Sequence, residues 1–180
     1  MGLLVTQIPV LRGVLSSRLP SKHHVLLQSL TRVSQDCEEH QREIFAKLVA
    51  IMDELVRAMR DRMEQLPWAK PTEAGAQTAA LSTADASTVD ECVKTLMKQT
   101  CSLHRALSDL LLVEQRDLIF RDISHKFLLH IGEFAGRMGQ SNPTVKLKMA
   151  YNINHIITRL KTCTGINEDD VQQLAKFVLV

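Results

Sequence analysis

Seven glycines, five prolines, five phenylalanines, one tyrosine and one tryptophan are spread over 180 residues. Strands draw on aromatic and β-branched residues and need frequent turn punctuation, so this scarcity argues against a β-rich chain. The few glycines form no phosphate cradle, and no P-loop, GxGxxG, GxSxG or HExxH pattern occurs. No stretch offers the roughly 18 uninterrupted apolar residues of a membrane-spanning helix. The opening "LLVTQIPVLRGVL" lacks a basic leading region and is interrupted by Gln7 and Pro9, unlike a signal peptide. Cys37, Cys92, Cys101 and Cys163 form no CxxC pair and no spacing typical of a disulfide framework, which points to a reducing compartment.

Charge of one sign is also missing. The net charge of +2 comes from 22 basic and 20 acidic side chains, too balanced to attract nucleic acid by field alone. Residues 1–35 carry four bases and no acid, whereas residues 36–66 carry eight acids and five bases. The second region reads as a solvated helix face.

Aliphatic residues are what the chain has in quantity, and they recur at helical spacing. Leu4, Ile8, Leu11 and Leu15 mark one face of a helix from Leu3 to about Arg18, which Pro9 should kink. "LPSK" then turns the chain into a helix from near Lys22 to Leu66. Its stripe runs through Ile44, Leu48, Ile51, Leu55, Met59, Met63 and Leu66, with Phe45, Met52 and Val56 widening it into a core-facing surface. Pro67 and Pro71 end that helix, and a segment poor in large side chains extends to about Ser87, the composition of a mobile loop.

Helical signals resume at Thr88 and Glu91, spaced as a capping box, and continue to near Val113. Ile119, Ile123, Phe127, Ile131, Phe134 and Met138 give the next helix its face. Pro143 opens another, with Val145, Met149, Ile153, Ile156 and Leu160 on one side and Gly165 closing it. Asn167 caps a last short helix buried through Val171, Leu174, Phe177 and Val178. The fold class is all-α, an antiparallel bundle of five to six helices.

Polar side chains converge poorly. Cys37 and His40 stand one helical turn apart, but no second ligand pair accompanies them, and His125 and His130 do not share a face. Lys146, Lys148, Arg159 and Lys161 in "VKLKMAYNINHIITRLK" form no continuous basic stripe. Charges in "MRDRMEQ" are expected to pair along their own helix. No catalytic, cofactor-binding or metal-binding residue is assigned.

The words "IPVLRGVLSSRLPSKHHVLLQSL", "DCEEHQREIFAKLVAIMDELV", "VDECVKTLMKQTCSLHRALSDLLLVEQRDLIFRDISHKFLLHI" and "VKLKMAYNINHIITRLKTC" resemble the C-terminal domain of the vacuolar protein sorting-associated protein 54 family. That resemblance implies an elongated rod of the tethering-complex type, residues 1–180 forming one C-terminal helical-bundle domain with a loop at 67–87. It implies a non-catalytic subunit of the Golgi-associated retrograde protein complex. Such a subunit acts in vesicle tethering and retrograde transport from endosomes to the trans-Golgi network, contributing to carrier association. The implied partners are sister subunits, with SNARE proteins or small GTPases as candidates. The implied location is cytoplasmic, peripheral on trans-Golgi network and endosomal membranes, without nucleic acid or cofactor. The family's coiled-coil region has no counterpart before Met1, so a fragment is expected. The alternative is a purely structural scaffold packing against a missing upstream rod.

Overall fold

The computed structural model describes residues 2–20, 24–66, 87–138 and 143–164. They form five helices: α1 (Gly2–Arg18), α2 (His24–Gln65), α3 (Glu91–Ser108), α4 (Val113–Met138) and α5 (Pro143–Thr164). No strand occurs among the described residues. The 42 residues of α2 make a rod, roughly 60 Å long at the helical rise. The loop expected at 67–87 lies outside the described residues except for Ser87, and so does the last short helix after Gly165.

Among the described elements, α1 rests on α2 alone, while α2, α3, α4 and α5 enclose a common core. Direction follows from which residues meet. Asp53, Arg60 and Glu64 of α2 reach Lys126, Glu133 and Arg137 of α4 in the same order, so these two helices run parallel. Asp90 meets Asn152 and Cys101 meets Cys163, so α3 and α5 also run parallel. The tight turn at 109–112 reverses the chain between α3 and α4, and successive bundle helices therefore alternate in direction.

Periodicity located the core faces of α4 and α5 well. Ile119, Ile123, Phe127, Ile131 and Phe134 are all buried, as are Met149, Ile153, Ile156 and Leu160. Each such side chain contributes about 1.5 to 3 kcal/mol by leaving water. The buried hydroxyls in this core satisfy themselves locally: Thr100 Oγ1 donates to the Leu96 carbonyl and Ser124 Oγ to that of Phe120.

Four expectations need correction. On α2 the core takes Met52, Val56, Met59 and Met63, whereas Ile44 and Ile51 are 37% and 54% exposed. One residue rotates a helix by about 100°, so the face chosen by α3 and α4 includes Met52 and leaves Ile51 outside. The N-cap of α3 is Asp90, without a side-chain cap bond, rather than Thr88. Its carboxylate is drawn instead to Asn152 and Lys148. α3 ends at Ser108, and Leu110 in the following turn is 70% exposed. Finally, Cys101 of α3 and Cys163 of α5 are disulfide-bonded, with Cα atoms 5.5 Å apart. Their 62-residue separation hid the pair, since only the packing of α3 on α5 brings them together.

Candidate functional site

The seam between α2 and α4 is polar along one edge. Asp53 accepts from His130 Nε2 at 2.9 Å and from Arg57 at 2.9 Å, with Lys126 at 3.7 Å. Arg60 Nη1 donates to Glu133 at 2.7 Å and lies 3.3 Å from His130 Nδ1. A guanidinium has no acceptor, so Nδ1 receives that contact and Nε2 carries the proton given to Asp53. The hydrogen bond from His130, helped by Lys126 and Arg57, holds the Asp53 carboxyl below its ordinary value despite desolvation. Arg137 reaches Glu64 at 2.7 Å, completing a ladder of charges across the seam. The "MRDRMEQ" charges thus pair across to α4 as well as along α2.

A second polar connection fastens α5 to the entry of α3. Asn152, with no exposed surface, accepts from the Asp90 backbone at 2.9 Å and donates to the Asp90 carboxylate at 2.6 Å. Buried Lys148 donates to the Thr88 carbonyl at 2.8 Å and to its hydroxyl at 3.0 Å. Lys148 is therefore committed to the interior, which removes it from any basic surface. Inside the bundle these polar groups border only a small void, while Asp53 and Lys126 of the seam also reach its surface. The void beside His130, between Met59, Met63, Phe134 and Met149, measures about 10 Å³. Such a space holds at most about one water.

A surface groove of about 560 Å³ lies between α2 and the first turns of α4. Phe45, Ala46, Val49, Ala50, Leu118 and Ile119 line it, and Arg42, Asp53, Asp122 and Lys126 edge it. Its floor is low because Ala46 and Ala50 stand one turn apart. Leu118 is 53% exposed at its wall, and Ile44, Leu110, Leu112 and Val113 are further exposed apolar side chains. Among the described residues no ion pair engages Arg42 or Asp122. The shape suits an apolar helix face, and the rim offers one cation and one anion to orient it.

The histidine and cysteine pairs raised by the sequence stay apart in function. His40 faces Glu43 at 3.6 Å, and Cys37 is a half-buried thiol. His125 is exposed while His130 is 5% exposed inside the α2–α4 seam. Among the described residues no three potential ligands gather for a metal, and no helix is long and apolar enough to cross a membrane. Sequence reasoning missed Asn152, Lys148 and His130 as cross-helix partners. The available signal was a polar residue on each helix's apolar side: Asn152 beside Ile153, and His130 beside Ile131.

Three comparisons agree on what this chain resembles. Residues 1–55 match the family model described as Vps54-like protein. Vacuolar protein sorting-associated protein 54 of Homo sapiens is 31% identical over 129 residues, 72% of this chain. The Mus musculus protein of that name is 32% identical over 130 residues. The chain spans about 11% of the length of these relatives. A solved structure titled Vps54 C-terminal domain matches with a TM-score of 0.54 at 23% identity, covering 85% of this chain and 96% of that one. At that identity the structure speaks for the fold, which is the all-helical bundle described above. Family model, relatives and fold together place the chain in the Vps54-like family, as a C-terminal domain.

Proposed function

We infer that this domain is a non-catalytic binding module of a multisubunit vesicle-tethering complex. The observation that carries the reading is its likeness to vacuolar protein sorting-associated protein 54 across 72% of the chain. In finer detail, the complex is the Golgi-associated retrograde protein complex, and the step is retrieval from endosomes to the trans-Golgi network. The domain then works from the cytoplasmic side, peripheral on those membranes. Sister subunits are its first partners, and residues 1–180 act as one C-terminal unit.

The groove between α2 and α4 supports a binding role and indicates how contact is made. We assign it an amphipathic α-helix of a partner protein. The lined length, from Arg42 to Asp53, is about three turns of α2. Apolar residues of the incoming helix at three- and four-residue spacing would fill the space over Ala46 and Ala50. An acid facing Arg42 and a base facing Asp122 would set its direction. Rim charges of this kind act more on specificity and encounter than on affinity.

Pull-down of sister subunits together with flotation on endosome-enriched membranes tests the functional reading. The folded chain should recover one or both. Recovery of neither by a chain with its full helical signal counts against a tethering role and in favour of a scaffold that only packs against neighbouring parts of a longer protein.

A further inference from the structure

The Cys101–Cys163 bond stands apart from both the groove and the charged seam. Its setting differs from that of a permanent staple in three respects. Both cysteines are half-buried rather than sealed, so a small thiol reagent can reach them. The helices carrying them are held together without the bond. Asn152 and Lys148 clamp one end of the α3–α5 pair, and Val93, Leu96, Met97, Ile153, Ile156 and Leu160 belong to the shared core. A chain with a core of this extent does not need a disulfide to fold. Lastly, Cys37 and Cys92 pair with no cysteine, so the bond stands singly and is not part of a disulfide framework of the kind that builds small secreted domains.

We propose that Cys101 and Cys163 form a reversible thiol–disulfide site, a redox modification point that fastens the last turn of α5 to the middle of α3. Packing sets the two Cα atoms 5.5 Å apart, within the separation a disulfide requires. Closure uses a low-molecular-weight disulfide such as oxidised glutathione. One cysteine loses its proton to solvent, and its thiolate attacks a sulfur of the oxidant, expelling one glutathione thiolate. The second cysteine, also deprotonated, attacks the protein-bound sulfur and expels the other. The two protein thiols give up two electrons, and one glutathione disulfide becomes two thiols. Reduced glutathione reverses the sequence. Cys92, on the same helix as Cys101, does not compete well, because burial and the nearby Asp90 push its thiol up and keep it protonated.

The consequence is local. Cys163 is the penultimate residue of α5, so the oxidised form pins that end of the helix to α3. In the reduced form the same turn is held by the burial of Leu160 and Thr164 and by the Thr164 hydroxyl bond to the Leu160 carbonyl.

The test is thiol counting on the folded wild-type chain in buffers of oxidised and then reduced glutathione, with alkylation under a denaturing quench and peptide mass mapping. Starting from the fully reduced chain, Cys101 and Cys163 should leave the thiol titre together in oxidised buffer while Cys92 stays a thiol, any glutathione adduct on the half-buried Cys37 being counted separately by mass. The lost pair should appear as one Cys101–Cys163 cross-linked peptide. Reduced buffer should restore all four thiols while the far-ultraviolet helical signal is retained. In Cys101→Ser, Cys163 should carry a glutathione adduct instead of a cross-link, and Cys163→Ala should give the mirror result at Cys101. No cross-link in oxidised buffer overturns the proposal. So does a bond that resists reduced glutathione in the folded chain, or a loss of helicity on reduction, since either makes the bond a structural staple.

Discussion

Nε2 of His130 lies 2.9 Å from Oδ1 of Asp53, joining α4 to α2 across 77 positions of sequence. This contact is the largest cause of the lowered Asp53 pKa, and it carries a pH signature. A carboxyl depressed in the folded state contributes stability that is fully present above its unfolded value, near the ordinary 3.8. That contribution is lost as pH falls through the lower folded value. Urea midpoints measured from pH 7 down to pH 3 should therefore drop less steeply at the acid end in Asp53→Asn than in wild type. At pH 7 the substitution should cost about 1.5 to 3 kcal/mol, the scale of one charge-assisted hydrogen bond.

Asn152 makes a sharper prediction because it is fully buried and doubly bonded to Asp90. Asn152→Ala leaves the half-buried Asp90 backbone donor and its carboxylate without that partner. The expected loss is about 2 to 4 kcal/mol in chemical denaturation, combining unmade hydrogen bonds with a small cavity.

Neighbouring residues on α2 test where the core lies. Met52 is 2% exposed and Ile51 54%. Met52→Ala should cost about 2 to 5 kcal/mol, whereas Ile51→Ala should stay within about 0.5 kcal/mol. Equal effects would mean that the stripe through Ile44 and Ile51 is the true core face.

That contrast also shows what was legible in the residues alone. Helix positions and the faces of α4 and α5 could be read because each is enclosed by several neighbours and shows a clean three-four repeat. α2 could not be read so closely, since apolar residues cover more of its circumference than the core uses. Periodicity places residues relative to one another around a helix and says nothing about which sector the neighbours will cover. The groove was beyond reach for the same reason: Phe45, Val49 and Leu118 look like core residues until α4 is seen to leave space between them. Cross-helix pairs such as Asp53 with His130, Asn152 with Asp90 and Cys101 with Cys163 depend on helix order and register, which no local pattern encodes.

Leu118 separates binding from folding. It is half exposed at the groove wall, so Leu118→Glu should shift thermal stability little, within about 0.5 kcal/mol. The introduced charge should nevertheless oppose seating of an apolar helix face. Reversing the rim cation with Arg42→Glu should weaken association more modestly, with an effect that shrinks in high salt.

Flotation of the wild-type chain and Leu118→Glu on endosome-enriched membranes, with equal helicity and equal melting shown first, tests the central claim most directly. The wild-type chain should rise with the membranes, and Leu118→Glu should remain in the load fraction. Wild type remaining behind would contradict a role in carrier association, and both proteins floating equally would contradict the groove as the point of contact.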